Sequence, residues 1–148
     1  MEERLDKYKR SGHAIYDIQY HIIWCTKYRY PILTGDIGLR ARDLLRQIAM
    51  AREVTIIRGA IAPDHIHMLV AGSPSLAPSK LVQYLKGCSS RKLQEEFSAL
   101  RKKYWGQHLW ARGYFCSTVG NITDEMVKQY IETQKWEEDG DESFRVLG

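Results

Sequence analysis

The sequence predicts an α+β fold, a small antiparallel sheet with helices packed on one of its faces. Three observations lead there. Short strand-like runs occur near residues 15–24, 54–61, 65–70 and 114–119, with alternation in the first and third and β-branched residues in the second. Two longer stretches with helical apolar spacing separate them, near 36–52 and 78–100. At 148 residues the chain is long enough for one real core and too short for a (β/α)₈ barrel.

Residues 1–12 are polar and mixed in charge, a ragged lead-in to a domain whose core spans about 13–136. In the first strand, residues 15–24, Tyr16, Ile18, Tyr20, Ile22 and Trp24 alternate toward the core, leaving Asp17, Gln19 and His21 on the other side. The stretch Cys25-Thr26-Lys27-Tyr28-Arg29-Tyr30-Pro31 mixes bases with aromatics. It is either an ordinary loop or a nucleic-acid contact in which Lys27 and Arg29 meet phosphates. Leu44, Leu45, Ile48 and Ala49 form the apolar stripe of the helix at 36–52. β-branched residues mark the second strand, 54–61.

Pro63-Asp64 turns the chain into a third strand that reads His65-Ile66-His67-Met68-Leu69-Val70. Alternation sets Ile66, Met68 and Val70 toward the core and both histidines toward the opposite face. Two imidazoles on one face are half of a metal site, or simply a pair of solvent-facing strand histidines. Ser, Pro and Gly in residues 72–78 lead to the second helix, 78–100, whose buried face holds Leu81, Val82, Leu85, Leu93 and Phe97. Lys86, Arg91 and Lys92 on it, with Arg101, Lys102 and Lys103 after it, form the densest positive stretch of the chain. Arg112 precedes the fourth strand, 114–119, and Thr123 caps a last helix that runs to about Trp136. The order β-α-β-β-α-β-α is the split βαβ, or ferredoxin-like, plan with one added C-terminal helix.

Charge narrows the partners. Residues 137–148 carry five acids and one base, so the body before them holds 21 bases against 13 acids. That is the footprint of a polyanion binder followed by an acidic tail expected to lie in solvent. Cys25, Cys88 and Cys116 are scattered singly, which fits a reducing cytoplasm and excludes a zinc ribbon or a disulfide frame. No apolar run reaches membrane-spanning length and the first residues do not read as a signal peptide, so a cytoplasmic protein without membrane contact is expected.

In the last helix Tyr130 and Gln134 are four apart and share a face. Taken alone, Tyr130 among Val127 and Ile131 is a core residue and Gln134 a surface one. With the histidines they make a chemical set. A divalent ion held by His65, His67 and the Gln134 amide oxygen keeps positions open for phosphate oxygens, and the Tyr130 hydroxyl can then attack phosphorus. Mixed nitrogen and oxygen ligands suit Mg²⁺ or Mn²⁺.

The His-Ile-His stretch after Pro-Asp, the segments Trp24-Cys25-Thr26-Lys27-Tyr28-Arg29 and Lys86-Gly87-Cys88-Ser89-Ser90-Arg91, the later Trp110-Ala111-Arg112-Gly113-Tyr114-Phe115, and Tyr130-Ile131-Glu132-Thr133-Gln134 together resemble the single-tyrosine HUH transposases. These are the TnpA-like enzymes of the smallest bacterial and archaeal insertion sequences, with REP-associated tyrosine transposases as near relatives. The resemblance runs from about Tyr16 to Gln134. It implies that His65, His67 and Gln134 hold the metal and that Tyr130 is the nucleophile. It implies cleavage and rejoining of single-stranded DNA through a 5′-phosphotyrosine link, recognition of imperfect subterminal hairpins, and a homodimer whose subunits share active sites.

Two other readings stay open. A domesticated relative would process repeated palindromes for its host with the same chemistry. A non-catalytic nucleic-acid module would use the same fold with aromatics on its open face. Cupin and amidohydrolase sites also use His-x-His, but they need a barrel, and no glutamate follows His67 here.

Overall fold

A computed structural model describes residues 8–11, 14–118 and 144–147. In chain order the elements are β1 (Lys9–Ser11), β2 (Ala14–Tyr16), β3 (Gln19–Cys25), a 3₁₀ turn at Lys27–Arg29, α1 (Gly35–Ala51), β4 (Thr55–Ala62), β5 (His65–Ala71), α2 (Pro78–Glu96), α3 (Ser98–Lys103), β6 (Phe115–Thr118) and β7 (Phe144–Val146). The main sheet has the order β6-β3-β5-β4-β7. Its first four strands are antiparallel neighbours, with the first and third strands of the split βαβ plan at the centre.

The core lies between this sheet and the three helices. Ile22, Trp24, Ile61, Ile66, Met68 and Val70 point into it from the strands. Leu44, Leu45 and Ala49 of α1, Leu81, Leu85 and Leu93 of α2, and Leu100 of α3 close it. These are the residues whose alternation and helical spacing mark them in the sequence, so the burial of apolar surface is what folds the layers together.

Four expectations are corrected. The strand expected at 15–24 is two strands, because Ala14–Tyr16 turns back to pair with Lys9–Ser11 in a separate hairpin. The helix expected over 78–100 is broken at Phe97, whose extended backbone ends α2 while its N–H bonds the Leu93 carbonyl. That turn lets Leu93, Leu100 and Tyr104 all reach the core. The sheet is mixed rather than wholly antiparallel, since β7 runs parallel to β4.

The fourth correction concerns the tail. Residues 144–146 are a sheet strand, and Phe144 is part of the core. Two glycines make room for it. A Cβ on Gly59 would stand 2.8 Å from the Phe144 ring, and one on Gly38 would stand 2.7 Å from Val146. The last helix, with Tyr130 and Gln134, lies outside the described residues.

Candidate metal and DNA site

The β4–β5 hairpin turns through Pro63-Asp64 and delivers His65 and His67 to the sheet face opposite the helices. Their neighbours across the ladder are small or apolar. Ala62 and Cys25 flank His65, and Ala60 and Ile23 flank His67. The alanines leave space beside each ring. Solvent does not fill it, for His65 is 0 % and His67 2 % exposed. The alternative reading of two solvent-facing strand histidines is therefore set aside: both rings are buried at the centre of the sheet.

Burial of an imidazole disfavours its charged form. Desolvation is the largest influence on both histidines, lowering His65 despite its hydrogen bond to Asp64. For His67, desolvation reinforced by His21, His65 and Arg58 brings the pKa to about 3. Both rings are neutral at physiological pH, which is the state that binds a metal.

Asp64 orients the pair. Its Oδ1 lies 2.9 Å from His65 Nδ1. A proton on Nδ1 donated to that carboxylate leaves Nε2 as the ring's lone-pair nitrogen. His65 Nε2 is buried and has no hydrogen-bond partner among the described residues. A carboxylate behind a histidine whose other nitrogen points at a site is the usual second shell of a metal ligand. Arg29 Nε in turn lies 3.3 Å from Asp64 Oδ2. His21 also joins the group, with Nδ1 3.0 Å from His67 Nε2. Among the described residues no three His, Cys, Asp or Glu side chains converge as a complete metal cage. The two histidines could offer two ligands to an ion, and Gln134, the expected third, lies outside the described residues.

Sequence reasoning missed the role of Asp64; it placed His21 on the face of the two histidines but not in contact with His67. Asp64 reads as a turn residue, and only its position next to a ligand histidine hints at more. His21 sits diagonally from His67 across β3 and β5, a pairing that needs the register.

The basic residues divide into groups. An open groove of about 1030 Å³ between α2 and residues 107–114 brings Lys27, Lys86, Arg91 and Arg112 together with Tyr84 and Trp110. Lys86 is tied down within it, donating to the carbonyls of Ala111 at 2.7 Å and Gly113 at 3.0 Å. Arg101 lines a separate recess of about 310 Å³ beside Arg91. Lys92 and Lys102 line neither. Lys103 reaches the Tyr30 ring instead, at 4.4 Å from its centre.

The groove's far wall is held by buried serines of α2. Trp110 Nε1 donates to Ser89 Oγ at 2.9 Å, and the Leu109 N–H donates to Ser90 Oγ at 3.3 Å. Backbone bonds from Lys27 to Leu109 and from Ala111 to Cys25 fasten the same segment to the end of β3.

Relatives of known kind match the chain along most of its length. Residues 14–134 match the family model described as "Transposase IS200 like". The chain is 36% identical over 126 residues to the ISDra2 transposase TnpA of Deinococcus radiodurans, covering 85% of this chain and 90% of that protein. It is 33% identical over 138 residues to the transposase for insertion sequence element IS200 of Salmonella typhimurium, covering 93% and 90%. A crystal structure of a candidate transposase from Deinococcus radiodurans superposes with a TM-score of 0.77 at 33% identity, over 85% of this chain and 97% of that one. The REP-associated tyrosine transposase bound to a REP hairpin shares the fold alone, with a TM-score of 0.51 at 11% identity over 82% of this chain and 68% of that one. The family match over residues 14–134, with relatives 33% and 36% identical over most of the chain, makes this protein a member of the IS200-like transposase family, whose work is DNA transposition.

Proposed function

We propose that the protein cuts and rejoins single-stranded DNA at insertion-sequence ends through a 5′-phosphotyrosine intermediate on Tyr130. The observation that carries this reading is the histidine pair: two neutral, buried imidazoles side by side, one held by a carboxylate at Nδ1 while its buried Nε2 has no hydrogen-bond partner among the described residues. His65, His67 and Gln134 would hold Mg²⁺ or Mn²⁺. When bound, that ion supplies Lewis-acid polarisation of the scissile phosphate and orients it.

The remaining chemistry belongs to the chain. The Tyr130 oxygen attacks phosphorus and forms a P–O bond to the protein. The bond from phosphorus to the 3′ oxygen breaks, and that oxygen leaves as a free 3′-hydroxyl after taking up a proton. Rejoining reverses the order, with a 3′-hydroxyl attacking the phosphotyrosine, so the phosphodiester energy is kept without nucleotide hydrolysis. Asp64 keeps His65 in the required tautomer. The basic groove holds the DNA backbone, and the family supports imperfect hairpins as the recognised structure. The protein acts as a homodimer in which Tyr130 of one subunit serves the histidines of the other.

The test uses labelled single-stranded DNA from element ends, with Mg²⁺ or Mn²⁺, on a denaturing protein gel. A labelled band at the protein's mass is expected, lost in Tyr130→Phe and in EDTA while DNA binding by the variant persists. Adduct formation by Tyr130→Phe contradicts the assignment.

A further inference from the structure

The turn after β3 carries a row of aromatic rings that the histidine site does not use. Tyr28 and Tyr30 have ring centres 5.4 Å apart, and Tyr30 and Tyr104 follow at 5.8 Å. The row runs from inside to outside. Tyr104 is buried, with its hydroxyl donating to the Lys27 carbonyl at 3.3 Å, whereas Tyr28 is 68% exposed. Trp105, next in sequence to Tyr104, is 88% exposed.

Both exposed rings stand on strained backbone. Tyr28 has φ +62° and Trp105 has φ +57°, and Arg29 beside Tyr28 has φ +55°. Bulky residues rarely adopt this region, and glycine adopts it freely. The turn is held there by bonds that over-determine it. Thr26 N–H bonds the Asp64 carbonyl at 2.9 Å, and Thr26 Oγ1 donates to the Tyr30 carbonyl at 2.8 Å. A large ring left mostly in water on a strained residue contributes little burial to the isolated fold. Strain of this kind concentrates where a partner is met.

Cations flank the rings. Lys27 Nζ lies 5.3 Å from the Tyr28 ring centre, and Lys102 and Lys103 directly precede Tyr104 and Trp105. A path of contacts leads from here to the ligands, through Arg29 to Asp64 at 3.3 Å and from Asp64 to His65 at 2.9 Å.

We infer that Tyr28 and Trp105 are stacking platforms for unpaired bases of single-stranded DNA, and that Tyr28 seats the strand beside the histidine pair. Exposed ring faces match bases whose own faces are free, and in a duplex those faces are covered by stacking. Lysines next to the rings meet the phosphates of the same strand. The inference rests on the single-strand chemistry proposed above.

The test measures fluorescence anisotropy of a labelled single-stranded oligonucleotide in EDTA, where cleavage plays no part. The double variant Y28G/W105G removes both rings while glycine accepts the positive φ, so its melting temperature should stay at or above that of the unaltered protein. Its affinity for the single strand should fall by roughly tenfold or more, with duplex affinity within about twofold of the original. Y28F/W105F should bind like the unaltered protein. Undiminished single-strand binding by Y28G/W105G overturns the platform and leaves the proposed function standing. Absence of single-strand binding by the unaltered protein overturns the proposed function as well.

Discussion

Asp64 shows how much one side chain can settle. It closes the β4–β5 turn, accepts from His65 and meets Arg29. Asp64→Ala should leave the sheet folded and weaken Mn²⁺ binding by about 10- to 100-fold, as losses of second-shell carboxylates do. Calorimetric titration of Mn²⁺ into both proteins checks this. The histidines also make a statement about acid. Their folded pKa values lie below the ordinary value, with His67 near 3, so the unfolded chain takes up protons first as pH falls. Their contribution to stability is complete above about pH 6.5 and is lost progressively below it. The urea midpoint of the metal-free protein should therefore decline between pH 6.5 and 5, above the range where ordinary carboxylates titrate. A flat midpoint there would contradict neutral burial. Strand alternation made the shared face of His65 and His67 legible in the sequence. Their burial was not legible, because alternation tells which side a residue faces and not what covers that side.

Among the elements, α1, β4 and β5 follow the sequence to within a residue or two, since each has strong periodicity and a clear stop. The second helix does not. Its apolar spacing continues through Phe97 to Leu100 with no proline or glycine to break it, and tertiary packing makes the turn instead. The same helix hides a structural device in an ordinary-looking Ser89-Ser90 pair. Ser89→Ala would leave the buried Trp110 indole N–H without its acceptor, a loss of about 1–3 kcal/mol. Denaturant unfolding of that variant checks it, and full stability would mean that Trp110 finds another acceptor. Because Trp110 lines the basic groove, the variant should also lose affinity for DNA.

Over the whole molecule, the sequence made the layers and the four-strand plan legible and left the fifth strand unread. Phe144-Arg145-Val146 is too short for periodicity to show, and five acids just before it make the segment look solvated. What seats it are vacancies at Gly38 and Gly59, each far away in sequence. Phe144→Ala should lower stability by about 3 kcal/mol, the usual loss for a buried phenylalanine, and thermal melting checks this. An unchanged melting temperature would mean that β7 adds nothing to the sheet.

β6 and β7 are the two outermost strands of that sheet, at opposite edges. Five strands set them roughly 19 Å apart. The segment that carries Tyr130 joins them, so it is moored on both banks of its own domain. If Tyr130 is the nucleophile proposed above, its reach is set by the length of chain between those moorings. If it is to serve a neighbouring subunit, it must do so on that tether or slip the β7 end. On the proposed function, loosening Phe144 should thus alter where Tyr130 can travel, and with it the balance between cutting within one subunit and across two.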